Sequence, residues 1–462
     1  MTSAGAYSNL HYLGNHGAFS QNPKAAFPRV ALSFKTAPRA TAPSEPSLAL
    51  SSAGGSRITN HRMQLVPSES TCPVPDFMSS KIQNDLLFVV AGEPSGDRHA
   101  ASVISALKQT RPSTSVVGFG GSHLKQAGME VLIDLPSKAI MGVFPVIAAL
   151  PRIRRWFQVA EEELVRRRPK ALLLVDYPGF NLRLAAVAQR LSIPVIYYIS
   201  PQVWAWNRKR VNKIAARVDL MLVILPFEVD AYQGLDIDVR YVGHPLMDRL
   251  AEDTVEAASV EALASSRPTV ALFPGSRRHV VDSLLPVFAK TARELSADPD
   301  VPDCHFLVSE AHDGLINSTL ANELFRGIDF QIVTGDAPAV MEAADVACTT
   351  SGTTTLELTG RGVPFVLAYR VSCIIWLLGK LLIRVPHIGL VNLVAQREVV
   401  PEHVGVRSGH KKLANDLASL ITDSERRDAM RADLNEVREL LDQKGSYART
   451  ASEIANFLDS HK

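Results

Sequence analysis

The stretch VVAGEPSGD at residues 89–97 decides the fold of this chain. An apolar strand runs directly into a loop of Gly, Pro and Ser, and an acidic residue then opens a stretch with helical spacing. Gly92 and Gly96 permit backbone conformations that other residues avoid and allow a ligand to approach the main chain. Nucleotide-type α/β domains build ligand sites in this way. Since the loop matches neither the GxGxxG nor the Walker pattern, a simple tight turn is an equally good interpretation at this point.

From residue 85 onward, short apolar runs alternate with longer amphipathic stretches, as is typical of parallel sheets covered by helices. The first series predicts strands at 85–91, 171–175, 194–199 and 220–224, and helices at 97–108, 151–166 and 182–191. The second predicts strands at 269–273, 305–308, 346–348 and 364–367. We therefore predict an α/β chain with two Rossmann-like, doubly wound domains and a ligand cleft at the carboxyl ends of both sheets.

The predicted domains are an N-terminal one at 85–250 and a C-terminal one at 265–440, followed by a C-terminal helix at 441–462. For this helix, packing on the first domain and contribution to a dimer both stay open. Residues 1–80 differ in composition, because before residue 65 they contain one acidic residue, Glu45, and six lysines or arginines. A basic, acid-poor segment of this kind resembles a transit peptide, so we expect a mitochondrial rather than a plastid location. A disordered tail without a targeting role is the alternative.

Composition excludes several classes of protein. A formal net charge of +2 over 462 residues argues against a general nucleic-acid binder. Cys72, Cys304, Cys348 and Cys373 show no CxxC spacing and no cluster with histidines, so we expect neither a disulfide framework nor a metal site. The histidines at 99, 244 and 279 lack ligand spacing, and we expect them to be structural or exposed.

Two further loops follow predicted strands in the second domain. In VALFPGSR, Gly275, Ser276 and Arg277 would offer free amides and a guanidinium to a diphosphate. In TTSGTTTLE, hydroxyls and amides stand at a positive helix end, and Glu357 one turn later is suited to both hydroxyls of a ribose. The candidates in this loop are Ser351, Gly352, Thr353, Thr355 and Glu357. A surface arginine and a capping glutamate are the plainer interpretations.

Eight motifs in fixed order, covering roughly residue 85 to the end, resemble the lipid-A-disaccharide synthase family: GEPSGD, VDYPGFN, SPQVWAWNRKR, LPFE, VGHPL, FPGSR, TSGTTTLEL and NLVAQREVVPE. The resemblance implies a GT-B glycosyltransferase fold and an inverting reaction without metal or cofactor. The implied substrates are UDP-2,3-diacylglucosamine and 2,3-diacylglucosamine 1-phosphate, joined by a β(1→6) bond with release of UDP. With the transit-like extension, the chain resembles an organellar, plant-type copy.

An inverting transfer needs a base for the acceptor hydroxyl, and Asp176 after the strand at 171–175 is the candidate. From the residues alone, Asp176 is equally a helix N-cap; the resemblance places it above Glu93 and Asp97. Ser95 and the amides after it would face a ligand at the first loop, and Trp204 with Arg208 is suited to a phosphate-bearing lipid head group. Tryptophans that only pack this loop, beside a solvated basic run, are the alternative. The remaining substrate-binding candidates are Glu93, Gly96, Asp97, Asn181 and Asn392, the last of which resembles the family's asparagine on the donor side.

Acylated substrates need apolar surface, and two stretches offer it, at 140–150 and 373–385. The second mixes apolar side chains with Lys380 and Arg384, which favours peripheral membrane contact over buried core. We expect a monomer or a homodimer.

The chain departs from the family pattern at three places. It lacks a glutamate shortly after GSR, where it reads Arg277-Arg278-His279-Val280, and Asp282 is the candidate replacement. Val391 and Gln396 stand where the family commonly has proline and glycine. Two alternatives therefore stay open: another UDP-sugar transferase or epimerase of the same fold, and a non-catalytic membrane-lipid-binding relative.

Overall fold

The computed structural model describes residues 85–138, 150–206, 209–371, 373, 376–377, 385–406, 409–441 and 444–461. These residues belong to one compact unit that spans 77–462. The transit-like segment, Arg208, nearly all of the apolar stretch 140–150 and most of 373–385 lie outside the described residues.

The first domain is built on a parallel sheet, which comprises seven strands in the described part of the chain, in the order β3-β2-β1-β4-β5-β6-β7. The strands are β1 (Leu86–Ala91), β2 (Ser115–Phe119), β3 (Glu130–Ile133), β4 (Ala171–Val175), β5 (Val195–Tyr198), β6 (Leu220–Val223) and β7 (Asp238–Tyr241). Every residue of β1 and β4 is buried, because helices cover both faces of the sheet.

The second domain repeats the plan with six strands, counted over the described residues, in the order β10-β9-β8-β11-β12-β13. They are β8 (Thr269–Phe273), β9 (His305–Glu310), β10 (Phe330–Thr334), β11 (Val346–Thr349), β12 (Phe365–Arg370) and β13 (Glu402–Gly405).

Helices connect the strands of both sheets. In the first domain they are α1 (Pro94–Thr110), α2 (Ser122–Gln126), α3 (Leu150–Arg167), α4 (Pro178–Arg190), α5 (Val203–Trp206), α6 (Lys209–Ala215) and α7 (Pro245–Glu252). Next come α8 (Ala257–Leu263), α9 (Arg278–Ala297), α10 (Ser318–Leu324), α11 (Ala337–Glu342), α12 (Thr353–Arg361) and α13 (Leu390–Ala395). The chain ends with α14 (His410–Thr422), α15 (Ser424–Leu441) and α16 (Ser446–Ser460).

The two sheets share the strand order 3-2-1-4-5-6 of the Rossmann fold, and the first sheet adds β7 as a seventh strand beside β6. The order reverses between β1 and β4 and between β8 and β11, where Ala91 pairs with Val175 and Phe273 with Thr349. These residues are the last of their strands, so the loops that follow them flank a crevice at the carboxyl edge of each sheet. The predicted fold of two doubly wound α/β domains is confirmed.

The edge strands were not predicted from the sequence. The strands β3, β7, β10 and β13 are the outermost of their sheets, and most of their residues are partly exposed. An edge strand tolerates polar side chains, so it lacks the continuous apolar run that revealed the central strands. The interior strand β2 was missed as well.

The last helix returns to the first domain. In α16, Ala451, Ile454, Phe457 and Leu458 are buried in the same cluster as residues of β1, β4 and β5. The loops after β5 and β6 pack against the second domain. Leu225 belongs to the core cluster of that domain, and Trp204 and Phe227 pack against the same cluster. The carboxyl edge of the first sheet therefore contacts the second domain. No helix among the described residues is long and apolar enough to cross a membrane.

Candidate functional site

The loop after β4 holds the most strained backbone of the site. Asp176 and Tyr177 both have positive φ, at 45° and 48°, and Ile199 after the neighbouring strand β5 has a φ of 66°. Side chains with a Cβ rarely adopt this conformation, at a cost of about 1–3 kcal/mol each. Strain of this kind persists where the surroundings impose it, and it clusters at functional sites.

Neighbouring side chains and backbone groups hold Asp176 in this left-handed conformation. The backbone oxygen of Asp176 accepts hydrogen bonds from the hydroxyl of Tyr197 and from the side-chain amide of Asn181, both at 2.6 Å. Its backbone N–H donates to the oxygen of Tyr198 at 3.0 Å. Asn181 and Tyr197 are fully buried. Asn181, expected to touch substrate, instead holds the backbone that presents Asp176.

The N-cap of α4 is Tyr177, and no side chain caps it, so the N-cap interpretation of Asp176 is wrong. Burial, and after it the negative charge of Glu93, raise the pKa of the Asp176 carboxyl to about 6. The Tyr177 backbone N–H opposes these effects. A carboxylate with a pKa just below neutral is suited to accept a proton at physiological pH. The catalytic role of Asp176 stays a prediction, and its raised pKa and its place after β4 are compatible with it.

The loop after β1 packs against the same crevice, for a reason other than the expected one. Gly92 and Gly96 do not have positive φ. A Cβ on Gly92 would lie 2.3 Å from the ring of Tyr177, so a glycine is required for that ring to pack here. Helix α1 begins at Pro94, earlier than predicted, with Glu93 partly exposed, Ser95 exposed and Gly96 buried in its first turn.

Asp97 differs most from expectation in this loop. It is 2% exposed, and its carboxylate accepts hydrogen bonds from the backbone N–H groups of Gly121 (2.6 Å), His123 (3.0 Å) and Leu124 (3.3 Å). Those groups belong to the start of α2, so Asp97 stabilises that helix rather than facing the crevice.

A small pocket of about 270 Å³ opens beside Asp176, lined by Ser200, Gln202, Val203 and Arg210 among others. The predicted cation of this motif, Arg208, lies outside the described residues, whereas Arg210 lines the pocket.

Trp204 is held by a residue that sequence analysis did not select. Its indole N–H donates to Glu228 at 3.2 Å, and the other oxygen of Glu228 accepts from the N–H of Leu225 at 3.1 Å. Burial raises the pKa of Glu228 to about 7. Because Glu228 occupies the Trp204 N–H, only the ring of Trp204 remains for a substrate. The LPFE motif was the available signal for Glu228.

An apolar groove of about 760 Å³ borders the residues that follow Asp176. Leu150, Ile153 and Phe157 of α3 line it together with Tyr177 and Phe180. The arginines at 154 and 183 also line this groove.

In the second domain, the loop after β8 is exposed at the start of α9. Gly275 has a φ of 108°, which requires glycine, while Ser276 and Arg277 are exposed. Arg277 is the N-cap of α9 and makes no side-chain capping bond. The N-terminus of a helix with 20 residues carries unpaired N–H groups and a positive dipole, so this loop is suited to an anion.

The loop after β11 begins α12 on the same edge. Gly352 is its N-cap with a φ of 153°, Thr353 is exposed, and the buried Thr355 hydroxyl donates to the Gly352 oxygen at 2.7 Å. Ser351 donates to the oxygen of Ile388 at 3.3 Å. Glu357 does not cap the helix; its carboxylate pairs with Arg249 of α7.

Asn392 lies away from any open surface. It is fully buried, and its side-chain oxygen accepts from the N–H groups of Val399 (2.7 Å) and Val400 (3.0 Å). Its amide donates to the Val400 oxygen and to Glu402, both at 2.8 Å. All of its bonding capacity is used to fold the segment after α13, so the expected donor contact is not present.

All three histidines agree with the expectation that they are structural or exposed. His244 is buried and caps α7, and burial lowers its pKa to about 3. His99 bonds the Tyr447 hydroxyl at 2.9 Å, and burial lowers its pKa to about 4. His279 is exposed. Across the described ranges, no three His, Cys, Asp or Glu side chains cluster closely enough to hold a metal ion.

Comparison with known proteins decides the family. The family model described as lipid-A-disaccharide synthetase matches residues 87–456. The chain belongs to the lipid-A-disaccharide synthase family. It is 38% identical to the synthase of Anaeromyxobacter sp. (strain K) over 373 residues, which is 80% of this chain and 97% of that protein. The synthase of Geobacter sulfurreducens is equally similar over 375 residues, with the same coverage. The chain is accordingly an enzyme, a glycosyltransferase of lipid A biosynthesis.

Solved structures support the fold alone. A putative UDP-N-acetylglucosamine 2-epimerase from Listeria monocytogenes matches with a TM-score of 0.54 at 14% identity, covering 82% of this chain and 96% of that one. The calicheamicin glycosyltransferase matches with a TM-score of 0.51 at 15% identity, covering 81% and 98%. The relatives identified by sequence are synthases, so they do not favour the alternative that this chain is an epimerase.

The departures from the family pattern have visible structural consequences. Gln396 is the C-cap of α13 with a φ of 56°, a conformation that glycine adopts without strain. Val391 is buried in α13. Asp282 is exposed in the second turn of α9, and its replacement role stays a prediction.

We expect Asn392→Ala to lower the free energy of unfolding by about 2–4 kcal/mol, because it leaves the buried N–H groups of Val399 and Val400 without partners. Urea denaturation followed by circular dichroism measures the change. Asn415→Ala, an exposed asparagine in α14, is the matched control and is expected to stay within about 0.5 kcal/mol. An Asn392 variant as stable as the control would contradict the structural role.

Proposed function

We propose that this enzyme transfers a 2,3-diacylglucosaminyl group from its UDP donor to 2,3-diacylglucosamine 1-phosphate, forming the β(1→6) disaccharide and UDP. Family membership supports the reaction, and the raised pKa of Asp176 at the reversal point of the first sheet supports the mechanism. Neither a cofactor nor a metal takes part in the proposed chemistry.

In the proposed step, the Asp176 carboxylate takes the proton of the acceptor 6-hydroxyl. The hydroxyl oxygen forms the new bond to the anomeric carbon of the donor, and the bond to the UDP oxygen breaks with its electron pair on UDP. Attack from the face opposite UDP inverts the anomeric centre. The acceptor then occupies the first domain, beside Asp176 and the pocket with Arg210.

The leaving diphosphate is assigned to the second domain. Gly275, Ser276 and the α9 N-terminus offer hydrogen-bond donors and a positive dipole, and Arg277 adds a guanidinium. These groups stabilise charge on UDP as the bond breaks. The ribose hydroxyls are assigned to Glu357, near the start of α12.

Acyl chains are assigned to the groove beside Tyr177. Its lining is apolar, and Arg154 and Arg183 are suited to anionic lipid head groups. The groove adjoins the Asp176 loop, so a chain bound there leaves the sugar near the base. This arrangement supports a peripheral contact with the membrane that contains both substrates.

We expect Asp176→Asn to lower kcat at least about a hundredfold, since the amide cannot accept the proton. The full chain is incubated with both sugar substrates, and UDP release and disaccharide mass are followed together. Asp313→Asn, an exposed aspartate in the second domain, is the control and keeps wild-type turnover. Intact substrates with folded wild-type enzyme would favour the non-catalytic alternative, and turnover in Asp176→Asn would exclude this base.

We expect the acidic limb of kcat/KM to follow Asp176, so that activity falls as the pH drops through about 6 and the base becomes protonated. Glu93→Gln removes a negative charge that raises this pKa, so the limb moves to lower pH. Glu256→Gln, an exposed glutamate, serves as control. A limb that stays in place in Glu93→Gln would show that another group controls it.

The proposed location is the mitochondrion, with residues 1–80 as a transit peptide and the chain as an organellar, plant-type member of its family. Its basic, acid-poor composition supports this assignment. Tagged full-length chain expressed in plant cells is expected in the mitochondrial membrane fraction and is expected to be released by alkaline carbonate. Recovery with plastids would contradict the mitochondrial location, and recovery in the soluble fraction would contradict the proposed membrane contact.

A further inference from the structure

One ion pair connects α7, at the end of the first domain, with the proposed ribose site. Arg249 of α7 donates through Nη2 to Oε1 of Glu357 in α12. The Glu357 side chain is 20% exposed and that of Arg249 is 42% exposed, so the pair stands at the edge of the cleft rather than in the core.

The pair engages only part of the Glu357 carboxylate. Arg249 contacts Oε1, and Oε2 makes no hydrogen bond to any other described residue. A carboxylate oxygen has lone pairs for a hydroxyl donor, so Oε2 is available to a ligand. The glutamate side chain rotates about three bonds, and a partner on one oxygen limits where the other points.

The positive charge here comes from Arg249 rather than from the histidines beside it. His99 and His244 are close enough for the charge of Arg249 to lower their pKa values, and burial keeps both neutral at physiological pH. Arg249 is therefore the cation that faces Glu357 from α7.

We propose that Arg249 is a positioning residue for the donor ribose: it holds one oxygen of Glu357 so that the other accepts a ribose hydroxyl. The proposal rests on the donor site assigned above and adds the residue that gives it selectivity for ribonucleoside diphosphates. Arg249 does not touch the reacting atoms. Its effect is on the discrimination between nucleotides with and without the 2′-hydroxyl.

The chain offers a matched control in Arg361. It belongs to the same helix, α12, and pairs with Asp253, directly after α7, at 3.0 Å and with Glu342. Arg361→Ala therefore removes a contact between α12 and the end of α7 without removing a partner of Glu357. A general loosening of the two helices affects both variants, whereas loss of ribose positioning affects Arg249 variants alone.

The test is the ratio of Kd values for 2′-deoxy-UDP and UDP, measured by titration calorimetry on the full chain. Wild-type enzyme is expected to bind UDP more tightly than 2′-deoxy-UDP, and Arg249→Ala is expected to lower this ratio of Kd values about tenfold. Arg249→Lys restores part of the preference, and Arg361→Ala keeps the wild-type ratio. The double variant Arg249→Ala/Glu357→Gln is expected to have the same ratio of Kd values as Glu357→Gln alone, because both substitutions act through one carboxylate.

A wild-type ratio in Arg249→Ala, or an equal narrowing in Arg361→Ala, would overturn the proposal. Wild-type enzyme that binds UDP and 2′-deoxy-UDP equally would overturn the assignment of the ribose 2′-hydroxyl to Glu357 and this proposal with it. The disaccharide assay distinguishes failure of this proposal from failure of the proposed reaction. If wild-type enzyme binds both nucleotides equally but still forms the disaccharide, the proposed reaction stands.

Discussion

Right-handed connections between parallel strands constrain everything else in this molecule. The chain moves from β1 to β2 in one direction and from β4 to β5 in the other, so α1 and α4 must leave the sheet on opposite faces. The core clusters show this directly: Ile104 of α1 is buried in one and Leu184 of α4 in the other. The space left between the two connections is the crevice in which Asp176 lies. The second domain repeats the strand order, which brings the loops after β8 and β11 together.

Asp176 illustrates what such a crevice costs. Its backbone and that of Tyr177 are left-handed, and its carboxyl is partly removed from water, so both backbone strain and desolvation oppose folding. The fully buried Asn181 and Tyr197 offset part of this cost by bonding the strained carbonyl. Stability given up at one loop thus gives the proposed base a pKa of about 6.

Polar residues in the same motifs serve two different purposes. Asp97, Asn392 and Glu228 are almost completely buried, and each accepts backbone N–H groups in a loop or at a helix start. Buried carboxylates and amides must find such partners, so their place in a motif reflects folding. Glu93 and Glu357 are partly exposed and Arg277 is exposed, so these three stay available to the proposed substrates. Burial and bonding separate the two groups, although all six have similar sequence contexts.

The sequence by itself determined the two-domain α/β plan and the loops of the site, because central strands are continuous apolar runs and Gly-rich turns follow them. It placed Asp176 directly after a central strand, and it placed Arg277 and Glu357 in the loop-and-helix segments that follow two others. Only the tertiary structure decided the edge strands, because their polar residues interrupt the apolar runs that predict a strand. It also decided the roles of Asp97 and Asn392, because their hydrogen-bond partners are backbone groups that only folding brings to them. It alone brought Arg249 to Glu357, because 108 residues separate them along the chain and only packing of α7 against α12 makes them neighbours.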